Sequence, residues 1–508
     1  MQLSKSEYMM YLKHPAWVWI KKHDKKKLPE IDANQQAMFD AGHDFEQYAE
    51  ALFEDGAKLG FDSYDEYLSL PSRTQQAINS NTPTIFQGRI ESENNTFIFD
   101  ILDRVSSDEF DLYEIKSSTK VKEDHYYDLA FQLYVAQSAG LKIRSIYVIH
   151  VNNNYVRSGP VKPEAITVTE EVSEQVRSMQ SETENNIAAA WQCIRQTDMP
   201  DPSPRHAGLN SFRDYMEVYS NIKDIPHNSI YNLYGLDPEL CAHLEDAGVE
   251  SISEIPENLK LKPKQQWQVS AVKADEPIVK ANKIESFLNS LDYPLYFLDY
   301  ETLADVVPPF DGLKPYQQLP FQYSLHILNS PDSDVEHYEY LHADQSNPAE
   351  PLVQQLIKEL GEKGSILTWS KRFEQGCNEL MAKLLPQHKE ALDAINTRIL
   401  DLMDPFAYGW YIDAEFRGSA SIKSVLPVLA PDLSYKDLDV QEGGSAQRLW
   451  MDAILRDNYS GDRDELMDSL LEYCKLDTLA MVRIFEFLSK GEFPSQEKSS
   501  SLEQTSLF

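Results

Sequence analysis

The sequence predicts an α/β protein built from more than one domain. Its 508 residues exceed what a single hydrophobic core usually organises. Strand-like runs and amphipathic helical stretches occur in both halves of the chain. A hydrophobic fraction of 42% with 11% aromatic residues is that of an ordinary folded protein.

Residues 1–195 form the first predicted domain. Helical stretches (QAMFDAGHDFEQYAEALFEDG) precede the strand-like runs PTIFQGRIE, TFIFDILDRV and FDLYEIKSS. An amphipathic helix, DHYYDLAFQLYVAQSAG, and another strand, SIYVIHVN, complete an α/β unit. The Pro-rich DMPDPSPRHAG marks a boundary. Residues 225–275 read as short helices separated by Gly235 and Gly248. They resemble a helix-hairpin-helix unit, whose tight turn offers backbone N–H groups to a DNA phosphate; a plain helical spacer gives the same pattern. Residues 290–490 open with a buried strand, YPLYFLDYET, and end in the long helix DELMDSLLEYCKLDTLAMVRIFEFLSK. Residues 491–508 form a polar tail, predicted to be disordered. No internal repeat is visible.

Cys193, Cys241, Cys377 and Cys474 lie far apart with no paired spacing. This argues against a zinc ribbon, a thiol redox motif or a disulfide framework, and fits a reducing compartment. No apolar run approaches the ~20 residues of a membrane span, and the N-terminus lacks the features of a signal peptide. A cytoplasmic protein with no membrane partner is expected. The net charge of −35 points away from nucleic acid at first sight. Carboxylates that cations neutralise explain only a handful of the 82 acidic residues. A salt-rich cell interior would explain the rest, and local patches such as Lys21 to Lys27 bear more directly on phosphate binding.

Two neighbouring strand-like runs present Asp100 and then Glu114 and Lys116. In a strand, Glu114 and Lys116 face the same side, and a hairpin turn at Ser106–Glu109 brings Asp100 across from them. Asp103 is the rival for the first carboxylate, nearer the turn. Two such carboxylates bind Mg²⁺ through hard oxygen ligands. The lysine can orient or activate a water and stabilise charge developing on phosphate.

This D…ExK pattern, followed by a helix bearing Gln132 and Tyr134, resembles the RecB-like branch of the PD-(D/E)XK nuclease superfamily. The resemblance implies a restriction-endonuclease-like α/β core. It also implies a further metal ligand on the preceding helix, where GHDFE offers Glu46 or His43, and a substrate-contacting or bracing role for Gln132. Many relatives carry an iron–sulfur cluster held by one N-terminal cysteine and three after the core. Here His14 in KHPAW stands at the first position, and Asn210, Phe212 and Tyr215 occupy the later region. Such a cluster needs about four cysteinyl ligands, so none is expected.

A second carboxylate set lies in YFLDYET, where Asp299 and Glu301 share one side of a buried strand. Burying both costs several kcal/mol unless a metal or partner compensates. Near the C-terminus Tyr473 and Asp477, four apart, share a helix face. D-x-E followed by Y-x₃-D resembles the tyrosine subclass of the DEDD exonucleases, on an RNase H-like fold. The resemblance implies two Mg²⁺ or Mn²⁺ ions and a phenol that positions the attacking water. The middle motif departs from the family: ILTWSKRFEQ places Glu374 where Asp is expected and Ser370 near the usual Asn. Asp401 in RILDLM fits a structural position, and Lys423 in GSASIKSVLP is placed near the substrate strand.

With PYQQLPFQYSLH and EYCKLDTLAM, nearly the whole chain resembles an uncharacterised bacterial family that joins a RecB-like nuclease region to an RNase H-like domain. The function implied is a metal-dependent DNA nuclease in repair, recombination or defence. Asp100, Glu114, Lys116 and Gln132 would serve one site, and Asp299, Glu301, Glu374, Tyr473 and Asp477 a 3′–5′ exonuclease site. The metal ligands implied are Glu46, Asp100, Glu114, Asp299, Glu301, Glu374 and Asp477. A DNA-binding adaptor recruited to the sliding clamp with one or both nuclease sites decayed, or an RNA-directed exonuclease, is the alternative. Of the two sets, the first has all its expected chemical parts and the second departs in its middle motif. The final Gln504-Thr505-Ser506-Leu507-Phe508 looks like a bacterial sliding-clamp-binding peptide, with an apolar pair to fill a pocket and Gln504 to fix register.

Overall fold

The computed structural model describes all residues except 437, 492 and 494–508. The chain divides into two compact units: 1–224 with 305–317, and 225–304 with 318–508. No helix of the described residues is long and apolar enough to cross a membrane.

The first unit is built on a mixed sheet of β1 (Leu3–Ser4), β2 (Gly56–Lys58), β3 (Thr84–Ser92), β4 (Asn95–Arg104), β5 (Glu109–Lys116), β6 (Lys142–Val151) and β7 (Thr167–Glu171). Strand order is β2-β3-β4-β5-β6-β7, with β1 paired to β4. β3, β4 and β5 form an antiparallel meander and β6 lies parallel to β5. That parallel step requires a crossover, which the helix Glu123–Ser138 supplies. Alternation sends neighbouring residues to opposite faces. Ile85, Leu102 and Leu112 enter a core with Leu129 and Leu133 of the crossover helix, while Phe86, Ile101 and Ile115 join Phe45 and Ala49 of the helix Ala33–Glu50.

Residues 305–317 fall in sequence within the predicted 290–490 domain, but they pack with the first unit. Val306 is buried among Phe86, Ile101 and Ile115. The Arg157 guanidinium donates to the carbonyls of Pro308 and Pro309 at 2.6 and 2.8 Å, and the Tyr316 hydroxyl donates to the Ser117 carbonyl. VVPPFDG reads locally as a loop, and nothing periodic in it encodes where it docks.

The second unit begins with helical structure over 225–275, where Ile230, Leu233, Leu244, Ile252 and Val269 share a small core. Gly248 adopts a φ of +71° and ends the helix Pro238–Asp246, with Val249 N–H returning to the Leu244 carbonyl. β8 (Ile278–Val279) pairs with β14 (Tyr411–Ile412). The main sheet holds β9 (Leu295–Leu303), β10 (Leu319–Leu328), β11 (Val335–Leu341), β12 (Ser365–Thr368) and β13 (Ile399–Asp401), in the order β11-β10-β9-β12-β13. β9, β10 and β11 are antiparallel, and β12 and β13 add in parallel. The 28-residue helix Arg463–Lys490 covers one face. On that face Leu295 and Phe297 of β9 share a core with Met481 and Phe485. The next two residues on the same side are Asp299 and Glu301, so an apolar face turns acidic.

Candidate active sites

In the first unit β4 and β5 meet as antiparallel neighbours, with Ile101 opposite Tyr113. Asp100 accepts the Ile115 N–H at 2.7 Å, which sets it against the Glu114–Lys116 pair. The rival Asp103 is engaged elsewhere, by the Thr84 hydroxyl at 2.7 Å. Glu114 is buried and its oxygens are occupied. Oε1 accepts from Lys116 Nζ and from Lys5 Nζ, each at 2.8 Å, and Oε2 accepts from Gln132 at 2.7 Å.

Asp128 closes the network. It accepts from Lys116 at 2.7 Å and from Gln132 at 2.9 Å, and lies 3.6 Å from Lys5 Nζ. Lys5 and Asp128 were missed by sequence reasoning. Asp128 had a signal, since it stands one helical turn before Gln132. Lys5 lies 109 residues from Glu114 and had none beyond following the N-capping Ser4.

Burial works against the charge on Lys5 and Lys116, but the Asp128 and Glu114 carboxylates more than offset it and raise both ammonium groups. Asp100 is pushed up to about 8, by burial first and then by Glu114. Glu46 is held to Gln87 at 3.3 Å and raised by burial, while His43 is exposed. Glu46, Asp100 and Glu114 do not bring their oxygens within 4.8 Å of one another. His14 is buried and stacked on Tyr215, with ring centroids 3.6 Å apart. Its Nδ1 accepts from Ala16 N–H, leaving Nε2–H to donate to the Ser203 carbonyl, and burial lowers it to about 4.

The second cluster is arranged differently. Asp299, Glu301, Tyr473 and Asp477 line one cavity of about 360 Å³, which Lys423 and Gln318 also border. The donor atoms of Asp299, Glu301 and Cys474 all lie within 4.8 Å of one another. Glu301 is 7% exposed, and its carboxylate has no hydrogen-bond or ion-pair partner among the described residues. Asp299 has the Cys474 thiol at 3.9 Å. Asp477 accepts from the Tyr435 hydroxyl at 2.6 Å.

Burial, then the neighbouring carboxylates, raises Asp299 and Glu301 well above the ordinary range. Burial lifts Asp477 to about 6, against the opposing effects of Tyr435 and Lys423. Burial and the same carboxylates hold the Tyr473 phenol protonated. Lys423 Nζ is bonded to the Gln441 carbonyl at 2.7 Å and lies 5.8 Å from the Tyr473 ring centroid.

Glu374 sits in the first turn of the helix Lys371–Leu384, after Ser370 at φ +93°. It is buried with Oε2 unpartnered, and feels the charge of Asp299, but it is not on the cavity wall. Asp401 accepts the backbone N–H groups of Ser370, Lys371 and Met403 at 2.9–3.1 Å. That fixes the turn entering the Glu374 helix. Tyr435 and Cys474 were not anticipated as part of this cluster; Cys474 had a signal in its place between Tyr473 and Asp477, and Tyr435 lies in a loop that offered none.

Residues 296–421 match a family described as a domain of unknown function, DUF2779. That span contains Asp299, Glu301, Glu374 and Asp401 and stops short of Lys423, Tyr473 and Asp477. The chain is also similar to the uncharacterized protein MG366 of Mycoplasma genitalium, with 24% identity over 224 residues. The match takes in 41% of this chain and 34% of that protein, so the chain spans about a third of its relative's length.

Proposed function

We propose that the chain is a metal-dependent nuclease acting on DNA, with its principal catalytic site at Asp299, Glu301, Tyr473 and Asp477. The carrying observation is Glu301, a buried carboxylate without a hydrogen-bond or ion-pair partner among the described residues, which shares a cavity wall with two more carboxylates. Buried carboxyls crowded together either hold their protons, as the raised Asp299 and Glu301 do, or give them up to a cation that neutralises the charge. The donor set is hard oxygen apart from one sulfur, so magnesium or manganese fits Asp299, Glu301 and Asp477, with Glu374 behind them. When bound, such a cation would polarise a phosphodiester and lower the pKa of an attacking water.

The chain's own residues do the rest. Tyr473, held protonated, offers a hydroxyl to orient that water. Lys423 borders the same cavity and offsets charge on the phosphate. Two antiparallel pairings followed by two parallel strands support an RNase H-like reading of this unit, and the helices over 225–275 support a helix-hairpin-helix reading. The meander with Asp100, Glu114, Lys116 and Gln132 supports a PD-(D/E)XK-like reading of the first unit. The segment Gln504–Phe508, expected from the sequence to resemble a clamp-binding peptide, lies outside the described residues.

A second reading applies to the first cluster alone. Two ammonium groups already neutralise Glu114, which favours a region that binds nucleic acid without cutting it. One assay tests both readings: labelled single- and double-stranded DNA and RNA with Mg²⁺ or Mn²⁺, using Asp299→Asn and Lys116→Ala separately. Loss of cleavage in Asp299→Asn is expected. Unchanged cleavage in Asp299→Asn would sink the catalytic assignment, loss of cleavage in Lys116→Ala would sink the non-cutting reading of the first cluster, and cleavage confined to RNA would overturn the choice of DNA.

A further inference from the structure

We propose that Cys474 is a metal ligand, making the second cluster a mixed oxygen–sulfur site able to hold a thiophilic divalent cation of the zinc or cadmium class. The inference rests on reading this cluster as a cation site, but not on nucleic acid being the substrate.

Cys474 lies between Tyr473 and Asp477 on the helix Arg463–Lys490 and is fully buried. As a small apolar residue it could serve the core, yet its sulfur lies beside two carboxylates. Its Sγ is 3.9 Å from Asp299 Oδ2, and the Glu301 oxygen completes a trio within 4.8 Å. Tetrahedral zinc bonds at ~2.3 Å to sulfur and ~2.0 Å to oxygen place such ligand atoms about 3.5 Å apart. The Asp299–Cys474 pair lies at 3.9 Å, near that separation, and the pairs with Glu301, within 4.8 Å, must close further to surround one ion.

A second observation points to a cation independently. Glu301 is more than nine-tenths buried, has no partner among the described residues, and borders the cavity that gives access to the cluster. Thiolate is a soft donor and shifts preference from magnesium toward zinc. Binding forms a sulfur–metal bond and releases the thiol proton to solvent, with no change of oxidation state.

The test is a cadmium titration of the full chain, followed by the ultraviolet sulfur-to-cadmium charge-transfer band. One equivalent should produce the band in the native protein and in Cys377→Ser. The band should be absent in Cys474→Ser, and Asp299→Asn should weaken cadmium binding by roughly tenfold or more. Zinc-edge X-ray absorption on the native protein needs no variant and should show one sulfur at about 2.3 Å. An all-oxygen zinc shell, or a band that survives Cys474→Ser, overturns the proposal while leaving a cation site intact. Failure of Mn²⁺, Zn²⁺ and Cd²⁺ alike to bind in a manner sensitive to Asp299→Asn overturns the proposal and the cation-site reading together.

Discussion

In the first unit the buried Glu114 shares one oxygen with two lysine ammonium groups, whereas in the second unit the buried Glu301 has no partner among the described residues. Both clusters draw carboxylates out of water, and a lone buried charge costs several kcal/mol. The first cluster offsets that cost with Lys5, Lys116 and Gln132. The second has one lysine on its cavity wall, Lys423, and that lysine is already bonded to the Gln441 carbonyl. A cluster that is neutralised from within is stable as it stands. A cluster compensated only in part, by Lys423, favours an external cation, and the proposed chemistry rests on that difference.

The largest test of this contrast is Glu301→Gln. Cleavage by the second site should fall about 10³-fold, as for loss of a main electrostatic group. Without divalent cation, at a pH above the raised Glu301 value, the same variant should be more stable by about 1–2 kcal/mol, because that buried carboxyl can no longer ionise. Steady-state cleavage and urea denaturation check the two effects; a destabilised Glu301→Gln would break the contrast. Lys5→Met should act in the opposite sense. It leaves Glu114 and Asp128 undercompensated and should destabilise the first unit by about 3 kcal/mol, measured in the same denaturation experiment.

The pH dependence follows next. A carboxylate whose folded pKa is raised binds its proton more tightly when folded. Its stabilisation is full below the unfolded value and is lost as pH rises through the folded one. Asp477 stands at about 6, and Asp299 and Glu301 lie well above the usual range. In chelator, the second unit should lose about 5 °C of melting temperature between pH 5 and 7.5, and saturating Mn²⁺ should remove most of that loss. Hydrogen exchange in the helix Arg463–Lys490 would assign the change to this unit. The smallest effect is expected for Tyr435→Phe. Removing a donor to the charged form of Asp477 raises that carboxyl, so the acid limb of the activity profile should move up by less than about one pH unit.

Much of the fold and of both clusters was legible because the relevant signals are local. Alternation in FDLYEIKSS and a short hairpin bring Asp100 to Glu114, and the crossover helix then delivers Gln132. Asp299 with Glu301, and Tyr473 with Asp477, each follow from the period of one element. What escaped was long-range. Lys5 reaches Glu114 through the packing of the N-terminal helix, and Tyr435 reaches Asp477 from a loop. The neutral-looking completeness of the first set in sequence also concealed that its acids are satisfied by lysines and do not converge.

The docking of residues 305–317 in the first unit has a consequence for synthesis. Domains tend to fold as they emerge, N-terminal parts first, yet this unit is finished by a segment that follows β9 directly in the chain. While 225–304 are being made, the apolar site of Val306 and the Arg157 guanidinium wait for their partners. Completion of the first unit is thus timed by the emergence of the strand that carries Asp299 and Glu301. A chain halted before that point would leave the site that Val306 fills, among Phe86, Ile101 and Ile115, without its occupant.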